Sequence, residues 1–245
     1  MTAFRQYLEL VLIHLRMFRS FTLMISIVNI GFAIGLVLGF SYIIPDVSET
    51  TALYLVTGTA TQMIVTVSLV GLPQVLSEMK RDGRMEYFFT LPISREAYVL
   101  SLISTVFVQS LPAMILAFAF GAWYYEISLA ISPLLLVVIP LAVVALAGLG
   151  VTIAVLSPHA QLTNAFTQMV IFYALFFSPV ILPNSQLPAA LRAIGRFVPT
   201  SYVADAMRGA SSDLPETHLM RSVLVLAAFA IGTVSVSAVT LRRRG

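Results

Sequence analysis

The stretch ISPLLLVVIPLAVVALAGLGVTIAVL, residues 131–156, contains no Asp, Glu, Lys or Arg. A helix needs about 20 apolar residues to cross the roughly 30 Å hydrocarbon layer of a bilayer, so this stretch predicts a membrane-spanning helix. Other stretches share its apolar character and have no charged residue in their central portions. Together they predict six spans, at residues 21–44, 52–76, 98–122, 131–156, 165–182 and 219–241.

The composition of the whole chain agrees with a membrane protein. Of the 245 residues, 59% are hydrophobic and only 10% are charged, and the mean hydropathy is +0.95. A soluble domain is typically about 25% charged, so the composition excludes an ordinary soluble enzyme and a disordered protein. The net charge of +3 is too small for a stripe that follows phosphates, and we expect no nucleic-acid partner. The sequence predicts an all-α polytopic membrane protein with one transmembrane domain, residues 1–245.

Positive charge predicts the orientation, because cytoplasmic loops carry an excess of Lys and Arg. Ten of the 14 Lys and Arg residues fall in the leading segment, in the interval after the second span and in the tail. We therefore expect both termini and the connector, residues 77–97, on the cytoplasmic side. The remaining four, in or beside the long fifth interval, weaken the pattern without reversing it. These four are Arg192, Arg196, Arg208 and Arg221.

The leading segment, residues 1–20, predicts an amphipathic helix at the membrane interface rather than a cleaved signal peptide. Its apolar residues recur at helical spacing on one face, with the charged residues largely opposite. That apolar face is formed by Phe4, Leu8, Val11, Leu15 and Phe18. Two roles remain open, a membrane-surface anchor and an element that transmits motion into the first span.

The spans lack the groups that several kinds of chemistry need. Ion-coupled transporters usually keep ionisable residues inside the membrane, and none lies at a span centre here. We expect His14, His159 and His218 to be solvated loop or interface residues, with no metal site and no general base among them. The only lysine, Lys80, is not part of a P-loop, so the chain cannot hydrolyse ATP alone.

The connector and the first residue of the third span form the most charge-dense stretch of the chain, SEMKRDGRMEYFFTLPISREAY, residues 77–98. It mixes charged residues with methionines and aromatic residues, a combination found at protein interfaces. We predict a short helix from Met85 to Leu91 that ends at Pro92, with Ser94 capping the start of the third span. Composition alone leaves open a solvated loop and a docking surface for a partner.

Parts of this segment resemble the cytoplasmic connector of type 2 ATP-binding-cassette (ABC) transporter permeases. The similar residues are Glu78, Gly83, Met85, Glu86 and the run LPISR at 91–95. The run FVPTSY at 197–202, followed by Asp205 and Arg208, resembles the family's signature before the last span. The chain departs from the family pattern at Arg84, where Thr is frequent, and at Phe88 and Phe89, where two leucines are common.

The resemblance implies the permease subunit of an exporter in the cytoplasmic (inner) membrane, in contact with membrane lipid. It would pair with a second permease copy or homologue and with two cytoplasmic ATPase subunits. ATP and Mg would bind to those subunits, so no cofactor is expected in this chain. Alternating access would move an amphiphilic or hydrophobic substrate, such as a drug, a lipid or a glycan-like molecule. The alternatives are a membrane-embedded lipid-modifying enzyme and an ion-driven secondary transporter.

The same resemblance makes the connector the coupling helix that presses into a groove on the ATPase. We hypothesise that Arg84 and Glu86 make polar contacts there, while Met85 and Phe89 pack into the groove. The residues expected to take part in coupling are Glu78, Arg81, Gly83, Arg84, Met85, Glu86 and Phe89.

The long fifth interval, residues 183–218, resembles the family's outer segment that dips part-way into the membrane. We expect a second short helix after Pro199, with Asp205 and Arg208 placed for an i,i+3 ion pair. A surface cap and an outer gate both remain open. The gate residues would be Pro199, Tyr202, Asp205 and Arg208.

A few polar residues inside the spans are candidates for the substrate pathway. In the second span Thr59, Gln62 and Thr66 share one face, and in the fifth span Gln168, Phe172 and Phe176 mark another. The family places these spans beside its central pathway, whereas hydrogen bonding between helices is the simpler explanation. In the first span, the glycines at 31, 35 and 39 form a ridge suited to close helix contact.

Overall fold

The computed structural model describes residues 3–17, 19–44, 47–90, 93–176, 180, 195, 198–212, 214 and 217–244. No β-strand occurs in these ranges, and the all-helical class is confirmed for them. A π-helical segment, Val67–Gly71, separates the third helix from the fourth. In chain order the helices are α1 (Ala3–Met17), α2 (Arg19–Ile43), α3 (Glu49–Thr66), α4 (Leu72–Arg81), α5 (Arg84–Thr90), α6 (Arg95–Tyr124), α7 (Leu135–Leu156), α8 (Ala160–Phe176), α9 (Pro199–Ser211) and α10 (Leu219–Arg244).

Five helical stretches in the described part are long and apolar enough to cross a membrane, and each coincides with a predicted span. The predicted span at 165–182 overlaps α8, a helix of 17 described residues that ends at Phe176. Most of its remaining residues lie outside the described part, so the count of six stays a prediction. The five stretches are Leu23–Ile43, Glu49–Arg81, Glu96–Tyr124, Leu135–Leu156 and Leu219–Ser237.

The central element is the long helix Glu49–Arg81, which comprises α3, the π segment and α4. In its most apolar stretch of 18 residues, 89% of the residues are buried, against 17% in the corresponding stretch of α2. Helix α2 is therefore peripheral. The central helix begins after Ser48, whose side chain accepts a hydrogen bond from the backbone N–H of Thr51 at 3.3 Å. Such a cap satisfies a donor that the first helical turn leaves open.

Contacts at the helix ends show that α2 and α6 run in the same direction. Ser41 Oγ, near the end of α2, lies 3.0 Å from the hydroxyl of Tyr124 at the end of α6. Tyr42 and Trp123, both strongly exposed, lie beside this contact. Tyr and Trp are enriched where a membrane meets water. This clustering is typical of a membrane surface, and the orientation prediction would assign these helix ends to the outside.

The helices α7 and α10 form the most extensive packing pair of the fold. Thr233 Oγ1 donates to the carbonyl of Ala145 at 3.4 Å, and Thr152 Oγ1 lies 3.1 Å from Ser237 Oγ, so these helices also run parallel. Gly148 permits this approach, since a Cβ atom there would lie 2.4 Å from Thr233 Oγ1. Both parallel pairs are those that a chain crossing a membrane alternately would form.

The glycine ridge of α2 has no comparable neighbour. A Cβ atom built at Gly31, Gly35 or Gly39 would meet no atom within 4 Å. The predicted close helix contact is therefore not made inside the described part of this chain. The ridge faces outward from the subunit.

Helix α1 lies against the N-terminal half of α6. The hydroxyl of Tyr7 is 2.6 Å from Ser104 Oγ in α6, and Leu10 and His14 on the same face of α1 are buried. Leu8 and Leu12 lie on exposed faces, as suits a helix at a membrane interface. The face that packs on the protein is thus separate from the apolar face that the sequence pattern singles out.

Candidate functional site

The connector between the second and third predicted spans is a helix–turn–helix unit. Helix α4 ends at Arg81, the turn comprises Asp82 and Gly83, and α5 follows at once. Gly83 has a φ of +69°, a left-handed conformation that costs glycine little. The predicted short helix is confirmed, although it begins one residue earlier, at Arg84, and Leu91 and Pro92 lie outside the described part. Ser94 also caps α6 as predicted, accepting a hydrogen bond from the backbone N–H of Ala97 at 3.2 Å.

The turn carries a compact group of surface charges. Asp82 Oδ2 accepts a hydrogen bond from Arg84 Nη2 at 2.9 Å, and Asp82 Oδ1 lies 3.4 Å from Arg81 Nε. The hydrogen bond from Arg84 and the positive charges lower the pKa of the Asp82 carboxyl below its usual value. The carboxylate stays ionised at neutral pH, and all three side chains remain accessible to a partner.

Helix α5 presents two faces of different character. Met85 and Phe88 are buried, with exposed fractions of 7% and 9%, whereas Tyr87 is 64% exposed and Glu86 is also exposed. The hypothesis that Met85 packs into a partner's groove is wrong, because its side chain is inside this chain's own core. The side chain of Phe89 lies outside the described part, so its predicted role stays a prediction.

Phe88 fits between α1 and α6. Its ring centroid lies 5.6 Å from that of His14 and 5.5 Å from that of Tyr98, and His14 and Tyr98 are 5.5 Å apart. Ser101 Oγ is 3.1 Å from His14 Nδ1. We call these four residues the Phe88 socket. They join the connector, the N-terminal helix and the third predicted span in one packed cluster.

The burial of His14 contradicts the expectation that each histidine is solvated. His14 is completely buried, whereas His159 and His218 are exposed as predicted. Burial lowers the pKa of His14 to about 4, because charging the ring would require removing an ion from water. The imidazole is therefore neutral at physiological pH and packs as an aromatic ring.

Two further contacts attach α4 to the neighbouring helices. Lys80 Nζ donates to the carbonyl of Ser157 at 3.0 Å, at the end of α7, where a cation also suits the helix dipole. Ser77 Oγ donates to Thr163 Oγ1 at 2.8 Å, in the first turns of α8. The connector is thus linked to α1 and α6 through α5, and to α7 and α8 through α4.

The predicted pathway residues of the second span lie on the central helix. Thr59 and Gln62 are completely buried, and in the described part neither Thr59 Oγ1 nor the side-chain amide of Gln62 has a hydrogen-bond partner. Thr66 Oγ1 donates to the carbonyl of Gln62 at 2.8 Å, within its own helix. Hydrogen bonding between helices, the simpler explanation, is therefore not what these three side chains do in the described structure.

The predicted pathway residues of the fifth span are not gathered with them. Gln168 is exposed on α8, and Phe172 is 57% exposed. The side chain of Phe176 lies outside the described part. The described residues of this set form an outward face of the subunit, accessible to lipid or to a second subunit.

The short helix predicted after Pro199 is present as α9, with Pro199 in its first turn. Tyr202 is partly buried and packs against the main core. Most of the predicted outer segment before it, residues 183–198, lies outside the described part. The helix α9 contacts both the central helix and α10.

Asp205 and Arg208 bind different parts of the protein. Asp205 Oδ2 accepts hydrogen bonds from Ser222 Oγ at 2.6 Å and from the backbone N–H of His218 at 3.1 Å, at the start of α10. The carboxylate therefore caps a neighbouring helix, where the N-terminal dipole favours negative charge. Its charge also acts on Arg208, and the predicted i,i+3 ion pair stays a prediction.

Arg208 is buried and faces the central helix. Its guanidinium carbon lies 4.3 Å from the ring centroid of Tyr54 in α3, within cation–π range. It also donates a hydrogen bond to the carbonyl of Val180. Two of the predicted gate residues, Asp205 and Arg208, thus make the contacts that hold α9 between α10 and α3.

The sequence matches the family model of the ABC-2 type transporters over residues 11–211. The chain belongs to this family. It is also similar to Nodulation protein J of Rhizobium leguminosarum bv. viciae, with 30% identity over 107 residues, and to that of Rhizobium meliloti (strain 1021), with 29%. Each match covers 44% of this chain and 41% of the relative, so less than half the length of these curated relatives is matched.

Family membership makes this ABC-2 permease the membrane subunit of a transporter, and the matched range includes the connector and α9. Sequence reasoning missed three functional candidates in it, namely His14, Phe88 and Gly150. Tyr7, Leu10 and His14 recur at helical spacing, and this pattern could have indicated that His14 lies on a buried face. No pattern in the sequence marks Gly150, whose backbone closely approaches the carbonyl oxygen of Ser68.

Proposed function

We propose that this ABC-2 permease is the membrane subunit of an ATP-driven exporter in the cytoplasmic membrane. A cytoplasmic ATPase subunit docks on the outer face of α5. The observation that carries the proposal is the orientation of α5. Met85 and Phe88 fix the helix in the protein, while Glu86 and Tyr87 project from it.

The docking surface suits a protein partner. It combines the exposed Glu86 and Tyr87 with the accessible charges of Arg81, Asp82 and Arg84. Aromatic residues and arginine are enriched at protein interfaces. Because the chain has no P-loop, ATP and Mg bind to the partner, and force reaches the membrane through the connector.

The substrate in this proposal is amphiphilic or hydrophobic. The central helix offers the unpartnered polar atoms of Thr59 and Gln62 among apolar side chains. A buried polar group without a partner costs about 1–3 kcal/mol, so a substrate hydroxyl or amide that reached these atoms would gain hydrogen bonds. No charged side chain accompanies them on this face of α3, which favours an uncharged polar group.

A second copy or a homologous permease completes the pathway in this proposal. The outward ridge of Gly31, Gly35 and Gly39 allows close approach of another helix, as small residues do in membranes. The exposed Gln168 and Phe172 of α8 would then face the partner permease or the pathway between the subunits.

The test is co-purification of the tagged chain from its native membrane with any subunit that carries a P-loop. Glu86→Gln combined with Tyr87→Ala should reduce the recovered ATPase at least tenfold, since about 1.4 kcal/mol of lost contact suffices. Glu49→Gln is the matched control, because Glu49 is an exposed carboxylate at the opposite end of the central helix.

Recovery of an ATPase with the wild type and with Glu49→Gln, but not with the double variant, is the expected result. Equal recovery with all three proteins would rule out α5 as the docking surface. Gradient-driven uptake of substrate with no ATPase in the preparation would favour the ion-driven alternative.

A further inference from the structure

The central helix contains one π-helical turn, which lies between α3 and α4. In the π segment Val67–Gly71, the backbone N–H of Leu72 donates to the carbonyl of Val67, five residues earlier. Pro73 follows directly, and proline has no N–H and clashes with the carbonyl four residues before it in a regular α-helix. A π turn accommodates such a residue, and π turns are frequent at functional sites.

The backbone of α7 packs directly against the π segment. A Cβ atom at Gly150 would lie 2.3 Å from the carbonyl oxygen of Ser68 and 3.2 Å from Cγ of Pro73. Ser68 is completely buried, and its Oγ has no hydrogen-bond partner in the described part of the chain. Only a residue without a side chain allows α7 this contact with the π segment.

The two halves of the central helix belong to different packing groups. Above the π segment, α3 contacts α6 and α9, where Val56 meets Gly121 and Tyr54 lies under Arg208. Below it, α4 is hydrogen-bonded to α7 and α8 through Lys80 and through Ser77. The connector therefore reaches α7 and α8 through α4 and the start of α6 through α5, while α3 has its own contacts with α6 and α9.

We propose that the π segment is the joint at which the central helix bends during transport. Gly150 is the residue of α7 that contacts this joint. Displacement of the connector would tilt α4, together with the cytoplasmic ends of α7 and α8, relative to α3 and the second half of α6. Gly150 is a positioning residue in this proposal, since it acts through the backbone of Ser68. The inference rests on the proposed function and adds to it the place where the motion occurs.

The first test compares two substitutions on α7. Gly150→Ala places a methyl group against the π-segment backbone, whereas Gly148→Ala places one against the side chain of Thr233 in α10. Both variants overpack the same helix, so both should lose stability. Only Gly150→Ala should lower the substrate moved per ATP hydrolysed, by at least tenfold, with ATPase recovery unchanged. Equal coupling in the two variants would overturn the proposal.

The second test measures the motion without overpacking the joint. The chain has no cysteine, so spin labels can be placed uniquely at Ile115→Cys in the second half of α6 and at Leu156→Cys at the end of α7, both exposed positions. Tilting the arm of about 9 Å from Gly150 to residue 156, six residues of helix, by 20° moves its end by about 3 Å. Pulsed EPR on the ATPase complex, with labelled chain diluted into unlabelled chain, should show a shift of that size on nucleotide binding.

If the distance between the two spin labels stays unchanged in a complex that transports substrate, the π segment is not a joint, while the proposed function stands. Failure of any ATPase to associate would instead contradict the proposed function. The EPR result decides the case even if Gly150→Ala does not fold.

Discussion

The ring of Phe88 in α5 packs against the imidazole of His14 in α1, with the two centroids 5.6 Å apart. Tyr98 closes the other side of Phe88 and belongs to α6. One side chain of the connector therefore touches the N-terminal helix and the third predicted span together. In the proposed mechanism, a push on α5 reaches both helices through this ring.

Replacing Phe88 by Ala should destabilise the protein by about 3 kcal/mol, as is usual for a buried Phe cut back to Ala. The cavity would open between α1, α5 and α6. Thermal unfolding in detergent measures the loss. Tyr87→Ala is the control, because that side chain is largely exposed and its removal should leave the unfolding temperature nearly unchanged. Equal losses for the two variants would contradict the two-faced arrangement of α5.

Stability should depend on pH through His14. Its pKa is lowered from 6.5 to about 4 by burial, so between these values only the unfolded state takes up the proton. The contribution of His14 to the free energy of unfolding is fully present above pH 6.5. It is lost as the pH drops toward 4, and the loss is up to about 3 kcal/mol. Unfolding curves recorded across this range test the sign and the size.

The control for this pH dependence is His14→Gln, which cannot take up a proton. Carboxylates contribute the same background in both proteins, so the difference between the two curves isolates His14. Parallel curves for wild type and variant would show that His14 does not titrate differently in the folded state.

The hydrogen bonds of Asp205 should hold α9 against the start of α10. Asp205→Ala removes a charged acceptor from Ser222 and from the backbone of His218, which should cost about 2 kcal/mol. Asp205→Asn keeps an acceptor oxygen and should cost less. Limited proteolysis after α9, with thermal unfolding, distinguishes the two. An equal effect of both substitutions would show that the acceptor oxygen is not what matters.

Glycines on α7 and α2 should respond differently to a methyl group. Gly148→Ala should cost about 1–3 kcal/mol, because the new Cβ would lie 2.4 Å from Thr233 Oγ1. Gly35→Ala meets no atom within 4 Å and should leave the stability of the single subunit nearly unchanged. Its effect should appear instead in cross-linking between copies. A loss of subunit stability from Gly35→Ala would place another part of this chain on the ridge.

Much of the architecture was predictable because apolar length and turn residues are local signals. Five helical stretches have the length and apolar character that the sequence predicts, and the turn at Gly83 and the cap at Ser94 likewise follow from the residues at those positions. The errors concern which partner a side chain meets. Met85 suits an interface or a core equally well, and only the position of α5 against α1 and α6 decides between them.

The outer residues illustrate the same limit. Asp205 and Arg208 have the spacing of an ion pair, yet the start of α10 offers Asp205 two donors and Tyr54 offers Arg208 an aromatic face. Local spacing cannot include neighbours that are distant in sequence. The π segment is a further example, because the sequence predicts an uninterrupted span over residues 52–76 and Pro73 does not fix the form of the turn before it.

The central claim is that an ATPase subunit docks on the outer face of α5, and site-specific photo-cross-linking tests it most directly. A photoreactive amino acid at position 87 should form an adduct with a P-loop subunit in native membranes. The same group at position 123, exposed at the opposite end of α6, should form none. Folded chain that gives no such adduct at position 87, or gives it equally at position 123, would contradict the account.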